Sequence, residues 1–251
     1  MIKKPQKAII MTPESPLSLH DWQQSLRDAA RPEKIAILSS FFKCGKGEYG
    51  EGDQFLGIVV PDNRAISAKY YALPLDSIAE MLHSPYHEFR LAALLALVRR
   101  YERCRDDRQA IVDFYLQNTA YINNWDLVDL SCPKIIGAHI IDHPDSTLLT
   151  RLSQSTSMWE QRIAIVSTLT LIRAGIFEPT IAIAESLLSH PHDLIHKATG
   201  WMLREMGKRS EQHLTEFLTR HAAAMPRTAL RYAIERLSPE QRKHWLATKR
   251  K

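Results

Sequence analysis

The chain has 251 residues, 45% of them hydrophobic and 24% charged, which is the ordinary balance of a globular protein with a substantial core. No stretch approaches the roughly 18–20 apolar residues of a membrane span, so a transmembrane protein is excluded. The three cysteines, Cys44, Cys104 and Cys132, form no CxxC pair. They predict free thiols in a reducing cytoplasm, where we expect the protein to be.

The net charge of +5 is concentrated toward the C-terminus. Lys197–Lys251 holds 13 Lys and Arg against 5 Asp and Glu, a net of +8, whereas the preceding 196 residues hold 20 against 23, a net of −3. A basic section on a near-neutral body is typical of a protein that binds a polyanion, although basic tails are often merely solvated. Residues 1–17 are polar and Pro-rich and predict a flexible tail, which leaves residues 18–251 as a single domain.

Helical spacing runs along almost the whole chain, with proline and glycine mainly between the helices. Arg162–Gly175 is rich in β-branched residues, but its length and its glycine stop favour a buried helix over a strand. Phe55–Val60 is the one strand-like segment, and it is equally compatible with an extended connector. In chain order, helices are predicted at Leu19–Ala29, Glu33–Phe42, Asp62–Tyr71, Asp76–His83, Phe89–Tyr101, Gln109–Asn118, Trp125–Ile140, Arg162–Gly175, Thr180–Ser189, Asp193–Met206, Glu211–Ala223, Thr228–Arg236 and Glu240–Ala247.

A repeat is visible when the longer helices are aligned on their first aromatic residue. Phe89, Trp125, Trp159 and Trp201 follow one another at intervals of 36, 34 and 42 residues, and each interval holds a shorter second helix. Helix pairs of about 34–47 residues are typical of TPR and HEAT or armadillo solenoids. The TPR consensus is missing. We therefore predict an all-α, HEAT-like helical repeat solenoid, an α–α superhelix with a concave basic cleft.

Trp125 and Asp129 form the strongest candidate site. They are spaced i and i+4 in Asn124–Asp129, so the indole and the carboxylate lie on the same helical face. Asp126 could help to cap the helix start, but Asp129 lies beyond the first turn, where Asp is a poor helix former. The pattern alone is compatible with catalysis and also with a salt-bridged Asp beside a core tryptophan.

A basic stripe with an indole inside it follows in the C-terminal section. Lys197, Trp201, Arg204 and Lys208 are spaced i, i+4, i+7 and i+11, and Trp159 pairs with Arg162 in the preceding unit. Cations suit phosphates and aromatic faces suit bases or sugars, although the tryptophans could equally fill the core. The DNA-binding candidates are Trp159, Arg162, Lys197, Arg204, Lys208, Arg227 and Arg231.

Two other patterns carry little weight. Gly45–Gly50 matches GxGxxG, but a helix precedes it and acidic residues follow, whereas the dinucleotide fingerprint needs a strand before it. The histidines His83, His87, His190, His192 and His196 have no HExxH or Cys/His spacing. We therefore predict no nucleotide cofactor, no other cofactor and no metal, and interpret the Gly-rich segment as a flexible loop over the substrate.

At these same residues the chain resembles the DNA alkylation repair glycosylases of the AlkD type. A box of the form WDxVD and another of the form KAxGWxLRE carry the resemblance, and GEYGEGD resembles a loop of that family. The matching segments are Phe55–Arg64, His83–Leu94, Asn124–Gly137, Met158–Val166 and Ile195–Lys208.

The resemblance implies hydrolysis of the N-glycosidic bond of N3- and N7-alkylated purines in double-stranded DNA, without a pocket for a flipped base. By motif position it places the catalytic aspartate at Asp129 and the cleft tryptophans at Trp125 and Trp201. It places the cleft arginine at Arg162, with Arg204 in the second box. An early aromatic position falls near Phe41, where some family members have tyrosine.

Three hypotheses follow from these observations. The first is a monofunctional alkylpurine DNA glycosylase, acting as a monomer with Asp129 ionised. The second is a non-catalytic HEAT-repeat protein that recognises branched or distorted DNA, which the presence of Asp129 disfavours. The third is a protein-interaction solenoid, which the basic section makes the least attractive.

Overall fold

The computed structural model describes residues 17–144 and 146–248, so the predicted tail, apart from Leu17, lies outside the described residues. Within these ranges the chain is helical and contains no β-strand, which confirms the all-α prediction. Short 3-10 turns cover Pro32–Lys34, Arg105–Asp107 and Thr119–Tyr121, and a π-helical turn covers Pro133–Gly137. The α-helices are α1 (Leu19–Asp28), α2 (Ile35–Phe41), α3 (Val60–Ser67), α4 (Leu75–Leu82), α5 (His87–Arg103), α6 (Arg108–Gln117), α7 (Trp125–Cys132), α8 (Ala138–Asp142), α9 (Ser146–Ser153), α10 (Met158–Arg173), α11 (Glu178–Ser186), α12 (Asp193–Arg209), α13 (Glu211–His221), α14 (Arg227–Ala233) and α15 (Pro239–Leu246).

The helices form two layers. In what we call the front layer, α3, α5, α7, α10, α12 and α14 pack successively against one another, and α4, α6, α9, α11 and α13 form a back layer behind them. The long helices α5, α10 and α12 bury their apolar side chains together and supply much of one continuous core. Each helix pair buries its apolar faces against its neighbours, as in a helical repeat. No helix in the described ranges is both long enough and apolar enough to cross a membrane.

The helix starts give a more regular repeat than the aromatic residues do. The starts of α5, α7, α10 and α12 lie 38, 33 and 35 residues apart. Trp201 is the ninth residue of α12, whereas Trp125 and Trp159 stand in the first two positions of α7 and α10. The 42-residue interval therefore reflects the place of Trp201 within its helix.

Two helical segments differ from the sequence prediction. The helix α9 was not predicted, because its eight residues are rich in Ser and Thr, which are weak helix formers. Its Leu148, Leu149 and Leu152 are buried, so packing stabilises it. The predicted helix Trp125–Ile140 widens into the π-helical turn at Pro133, whose nitrogen has no hydrogen to donate to the preceding turn.

The strand-like segment Phe55–Val60 is an extended connector. The backbone N–H groups of Leu56, Gly57 and Ile58 donate to the carboxylate of Glu88, at 2.8–3.1 Å. An isolated bridge at the preceding residue, from Gln54 to Tyr86, ties the segment to the start of α5. These bonds satisfy the connector's backbone without a sheet.

Gly200 sets the contact between α12 and α14, and we expect Gly200→Ala to destabilise the protein by about 1–3 kcal/mol through overpacking. A Cβ there would lie 2.4 Å from the Ala229 carbonyl oxygen and 2.5 Å from Cβ of Tyr232. Chemical denaturation would measure the change. The control is Gly207→Ala in the same helix, where the new Cβ meets a movable Leu214 side chain and helix propensity favours alanine. Equal midpoints for the two variants would contradict the prediction.

Candidate active site

Asp129 lies in the second turn of α7, and Arg162 of α10 holds its carboxylate on both oxygens. Nε of Arg162 donates to Oδ1 at 2.9 Å, and Nη2 donates to Oδ2 at 2.8 Å. The third donor of the guanidinium, Nη1, binds the carbonyl oxygen of Leu194 on α12 at 2.6 Å. This two-pronged pair fixes the carboxylate plane and ties three front-layer helices together at the site.

The carboxylate of Asp129 is mostly buried but reaches the surface, with 15% of its side chain exposed. Burial raises the pKa of Asp129 above its ordinary value, the guanidinium of Arg162 opposes that rise, and the nearby carboxylate of Asp126 adds to it. Arg162 occupies one lone pair on each oxygen. The remaining lone pairs leave Asp129 able to accept a hydrogen bond or to face a positive charge.

The sequence offers Asp126 as a possible cap for the start of α7. In the structure Asn124 is the cap. The side-chain oxygen of Asn124 accepts from the Trp125 nitrogen at 2.8 Å. Asp126 is buried and accepts from the Leu127 nitrogen and from the ring of His87. The cap places the Trp125 indole and the Asp129 carboxylate one turn apart on the open face of the front layer.

An open cleft of about 510 Å³ brings most of the predicted site residues together. It lies across α7, α10, α12 and α14, with α2 and the Gly-rich loop at one side. Seven of its lining residues were predicted from the sequence: Phe41, Trp125, Asp129, Arg162, Lys197, Trp201 and Arg204. Four were not: Lys43, Tyr49, Leu194 and Tyr232.

The cleft cations have acidic neighbours. Lys197 pairs with Asp193 at 2.8 Å, and Arg204 pairs with Glu235. Both cations are near the surface, where such pairs are weak and exchange readily for another anion. The cleft is therefore positively charged at its rim and negatively charged at Asp129.

Four predicted DNA-binding residues lie outside this lining. Trp159 packs against Tyr49, with the ring centroids 6.0 Å apart, and so supports the loop. Lys208 pairs with Glu205 on the exposed side of α12, and Arg227 donates to the carbonyl oxygen of Leu246 at 2.8 Å. Arg231 is exposed on α14, the helix that also carries Tyr232.

The Gly-rich segment is a set of turns that carries Tyr49 to the cleft. Gly47 and Gly52 have φ of +79° and +91°, which side-chain-bearing residues rarely adopt. The nitrogens of Gly45 and Gly47 donate to carboxylates of their own loop, at 2.8 Å each. The sequence predicted a loop over the substrate here, both from the glycines and from the resemblance of GEYGEGD to a family loop, but it did not single out Tyr49.

A buried charged network behind Trp125 was missed by the sequence reasoning. The His87 ring binds Asp53 through Nδ1 at 3.0 Å and Asp126 through Nε2 at 2.9 Å, and Arg90 donates to Asp53 at 2.6 Å. Burial lowers the pKa of His87, but the charge of Asp126 and the hydrogen bonds of both carboxylates outweigh it and raise the pKa to about 9. The network joins the end of the Gly-rich loop to the first turns of α5 and α7.

Aromatic rings pack on the outer side of this network. Phe42 stacks on Trp125 with the ring centroids 5.3 Å apart, and it also contacts His87 at 4.5 Å. Phe41 meets Trp125 edge to face at 5.6 Å and is 59% exposed. Beneath these rings lies a second, apolar cavity of about 470 Å³, which shares Phe41, Trp125 and Asp129 with the cleft. Asp129 thus stands on the boundary between a polar cleft and an apolar one.

Across residues 17–144 and 146–248 we find no group of three or more His, Cys, Asp or Glu side chains arranged to hold a metal ion. The histidines at 190, 192 and 196 have local roles. His192 caps α12 by accepting from the Leu194 nitrogen at 3.2 Å, and the ring of His196 contacts the carbonyl oxygen of His190.

Comparison with known proteins identifies the family. The family described as DNA alkylation repair enzyme matches residues 22–237. A structure titled "Predicted DNA alkylation repair enzyme from Enterococcus faecalis" is similar in fold, with a TM-score of 0.65 and 20% identity over 84% of this chain and 97% of that one. No curated protein matches the sequence. Because the family match extends over most of the chain, from α1 to the end of α14 and beyond, the chain belongs to the DNA alkylation repair enzyme family.

Proposed function

We propose that the protein is a monofunctional DNA glycosylase that hydrolyses the N-glycosidic bond of N3- and N7-alkylated purines in double-stranded DNA. The observation that carries the proposal is the Asp129 carboxylate, held rigidly by Arg162 in a cleft between two tryptophans and rimmed by cations. Family membership supports alkylated DNA as the substrate class.

The chemistry of the lesion fits this arrangement. An N3- or N7-alkylpurine is already positively charged and leaves as a neutral base without a general acid. The sugar then acquires positive charge at its anomeric carbon. A fixed carboxylate stabilises that charge and orients or deprotonates the attacking water. Asp129 has free lone pairs for this role, and its bond to Arg162 removes the need to reorganise it during the reaction.

The tryptophans and the rim cations fit the rest of the substrate. Trp125 and Trp201 line the same cleft as Asp129. Their indole rings can contact the sugar and a cationic base. Such cation–π contacts contribute on the order of 0.5–2 kcal/mol each. Lys43, Lys197 and Arg204 lie at the same cleft and suit phosphate oxygens.

Direct transfer of the alkyl group to a cysteine fits the molecule less well. Cys132 is fully buried, and burial raises the pKa of its thiol. Burial, together with the charges of Asp53 and Glu48, raises the pKa of Cys44 to about 11. A thiol needs to ionise to act as a nucleophile, and neither of these would do so near neutral pH.

The products of a single turnover test the proposal. We expect free 7-methylguanine and an abasic site when excess protein is incubated with a duplex that carries one 7-methylguanine, and no base release from the same duplex without the lesion. Chromatography of the released base and strand cleavage at abasic sites would measure both products. Restored guanine without an abasic site would indicate dealkylation and contradict the proposal. Duplex binding without either product would favour the non-catalytic DNA-binding hypothesis.

A further inference from the structure

The helix faces that line the apolar cavity beside Asp129 continue into a second trough. On α5 the cavity is lined by Glu88 and Leu91, and the trough by Leu95, Val98 and Arg99. The spacing of three to four residues places all five side chains on one face of α5. Val60 and Pro61 at the start of α3 line both depressions, so cavity and trough form one continuous surface of the front layer.

The surface changes from apolar to basic along this direction. The trough has a volume of about 560 Å³ and ends among Arg64 of α3, Arg99 of α5 and Lys134 of the π-helical turn. The single acidic residue in its lining is Glu102, which lies 3.7 Å from the ammonium group of Lys134. Both partners are about half exposed, so their attraction is weak. The trough keeps a net positive charge.

The two arginines of the trough are free to bind an anion. Elsewhere in the front layer Arg90 and Arg162 are held by buried carboxylates. Arg64 is exposed, and among residues 17–144 and 146–248 its guanidinium has no hydrogen-bond or ion-pair partner. Nε of Arg99 is buried and has no acceptor in the same ranges. Nε of Arg90 and of Arg204 are also without an acceptor, so what sets Arg99 apart among the described residues is that no carboxylate pairs with its guanidinium.

The distance from the candidate active site suits a DNA duplex. Leu91, beside Asp129, and Arg99 are eight residues apart on α5, which corresponds to roughly 12 Å along the helix axis. In the front layer α3 and α5 lie on the opposite side of α7 from α12, so the trough lies on the side of Asp129 away from Lys197 and Arg204. It is near enough to meet the backbone of a duplex that is held at Asp129.

We propose that Arg64, Arg99 and Lys134 form a second binding site for the phosphodiester backbone, remote from the reacting nucleotide. Together with the cations of the cleft, this site grips the duplex on both sides of the lesion. The inference rests on the proposed function only in taking DNA as the ligand and Asp129 as the centre of the contact. It adds a basic site outside Lys197–Lys251, the section that carries the net positive charge of the sequence.

Binding to an undamaged duplex of about 20 base pairs, titrated over a range of salt concentrations, tests the inference. We expect Arg64→Gln/Arg99→Gln to weaken binding on the order of tenfold near 0.1 M salt and to reduce the salt slope by about 2, because two phosphate contacts are lost. The matched control is Lys69→Gln/Arg173→Gln, which removes the same charge at exposed positions outside the trough. The single variant Arg64→Gln, at an exposed position, guards against loss of folding, and its slope should fall by about 1.

Methylphosphonate substitution locates the contact. In a duplex with a central tetrahydrofuran abasic analogue, the phosphates on either side of the centre are neutralised one at a time. At the phosphates that contact the trough, neutralisation should weaken wild-type binding and leave the double variant unaffected. Equal salt slopes for the trough variant and the control variant would overturn the inference, even if the protein releases 7-methylguanine. If the trough variant has a reduced salt slope but the wild-type protein releases no base, the second backbone site stands and the glycosylase proposal is refuted.

Discussion

Asp129→Asn is expected to reduce the single-turnover rate of 7-methylguanine release by about 10²–10³, the usual effect of removing one fixed electrostatic partner of a transition state, worth about 2.7–4 kcal/mol. The substitution keeps the shape of the side chain and removes the charge that we propose to face the anomeric carbon. Single-turnover kinetics with protein in excess isolates this step from product release.

Binding and catalysis should separate in this variant. Asp129 is the acidic residue in the lining of the cleft, so its neutralisation makes the cleft more positive. Asp129→Asn should therefore bind an abasic duplex at least as tightly as the wild type does. The control is Asp142→Asn, which breaks an exposed ion pair with Arg108 on the far side of the helical stack and should leave the rate unchanged.

The pH dependence gives a further check on the same residue. Burial raises the pKa of Asp129, so its ionised fraction should begin to fall at a higher pH than that of an ordinary aspartate. The wild-type rate should decline on acidification through that pKa, and the small residual rate of the asparagine variant should not follow it. A wild-type rate in the asparagine variant would show that Asp129 is not the catalytic group.

The sequence was sufficient for the fold class and for much of the cleft. Helical spacing and proline breaks gave most helix positions to within a few residues, because the apolar faces are long and regular. Trp125 and Asp129, predicted to share a helical face, both line the cleft in the structure. Arg162, 33 residues away, meets that face because the repeat brings equivalent turns of successive helices together.

The parts that could not be predicted depend on contacts distant along the chain. Nothing near His87 in the sequence indicates that Asp53 and Asp126 enclose it from two sides. Tyr49 enters the cleft only because the glycine turns fold the loop back on itself. The chemistry of Asp129 also came from the family resemblance, since spacing alone favoured a solvated or salt-bridged aspartate over a catalytic one. The structure shows that salt bridge to be present and partly open, so the two interpretations are compatible.

The same hidden network gives the largest expected effect on stability. His87→Gln should destabilise the protein at pH 6 by about 3–5 kcal/mol, because it leaves Asp53 and Asp126 buried with their shared cation removed. Urea denaturation of wild type and variant would measure the difference. The control is His83→Gln, four residues earlier in the sequence. The ring of His83 is exposed, forms a hydrogen bond with Asn118 at 2.7 Å and stacks on Tyr121. It should change the free energy of unfolding by less than about 1 kcal/mol.

The effect should depend on pH in a definite direction. The pKa of His87 is about 9 in the folded protein, above the value of about 6.5 of an unfolded chain. The protonated ring therefore contributes its full stabilisation below about pH 6.5, and that contribution is lost as the pH rises through 9. A difference of roughly 2–3 pH units corresponds to about 3 kcal/mol. Arg90 also pairs with Asp53, so that carboxylate keeps one partner when His87 loses its proton.

The stability gap between wild type and His87→Gln should consequently be largest near pH 6 and should shrink by about 3 kcal/mol by pH 9.5. A gap of constant size over this range would mean that His87 is neutral in the folded protein and acts through packing alone. The gap also bears on the candidate site, because Asp126 and Asp53 connect this ring to α7 and to the Gly-rich loop. A cation at His87, which is not among the residues that line the cleft, would then hold Trp125, Asp129 and Tyr49 in their places from behind.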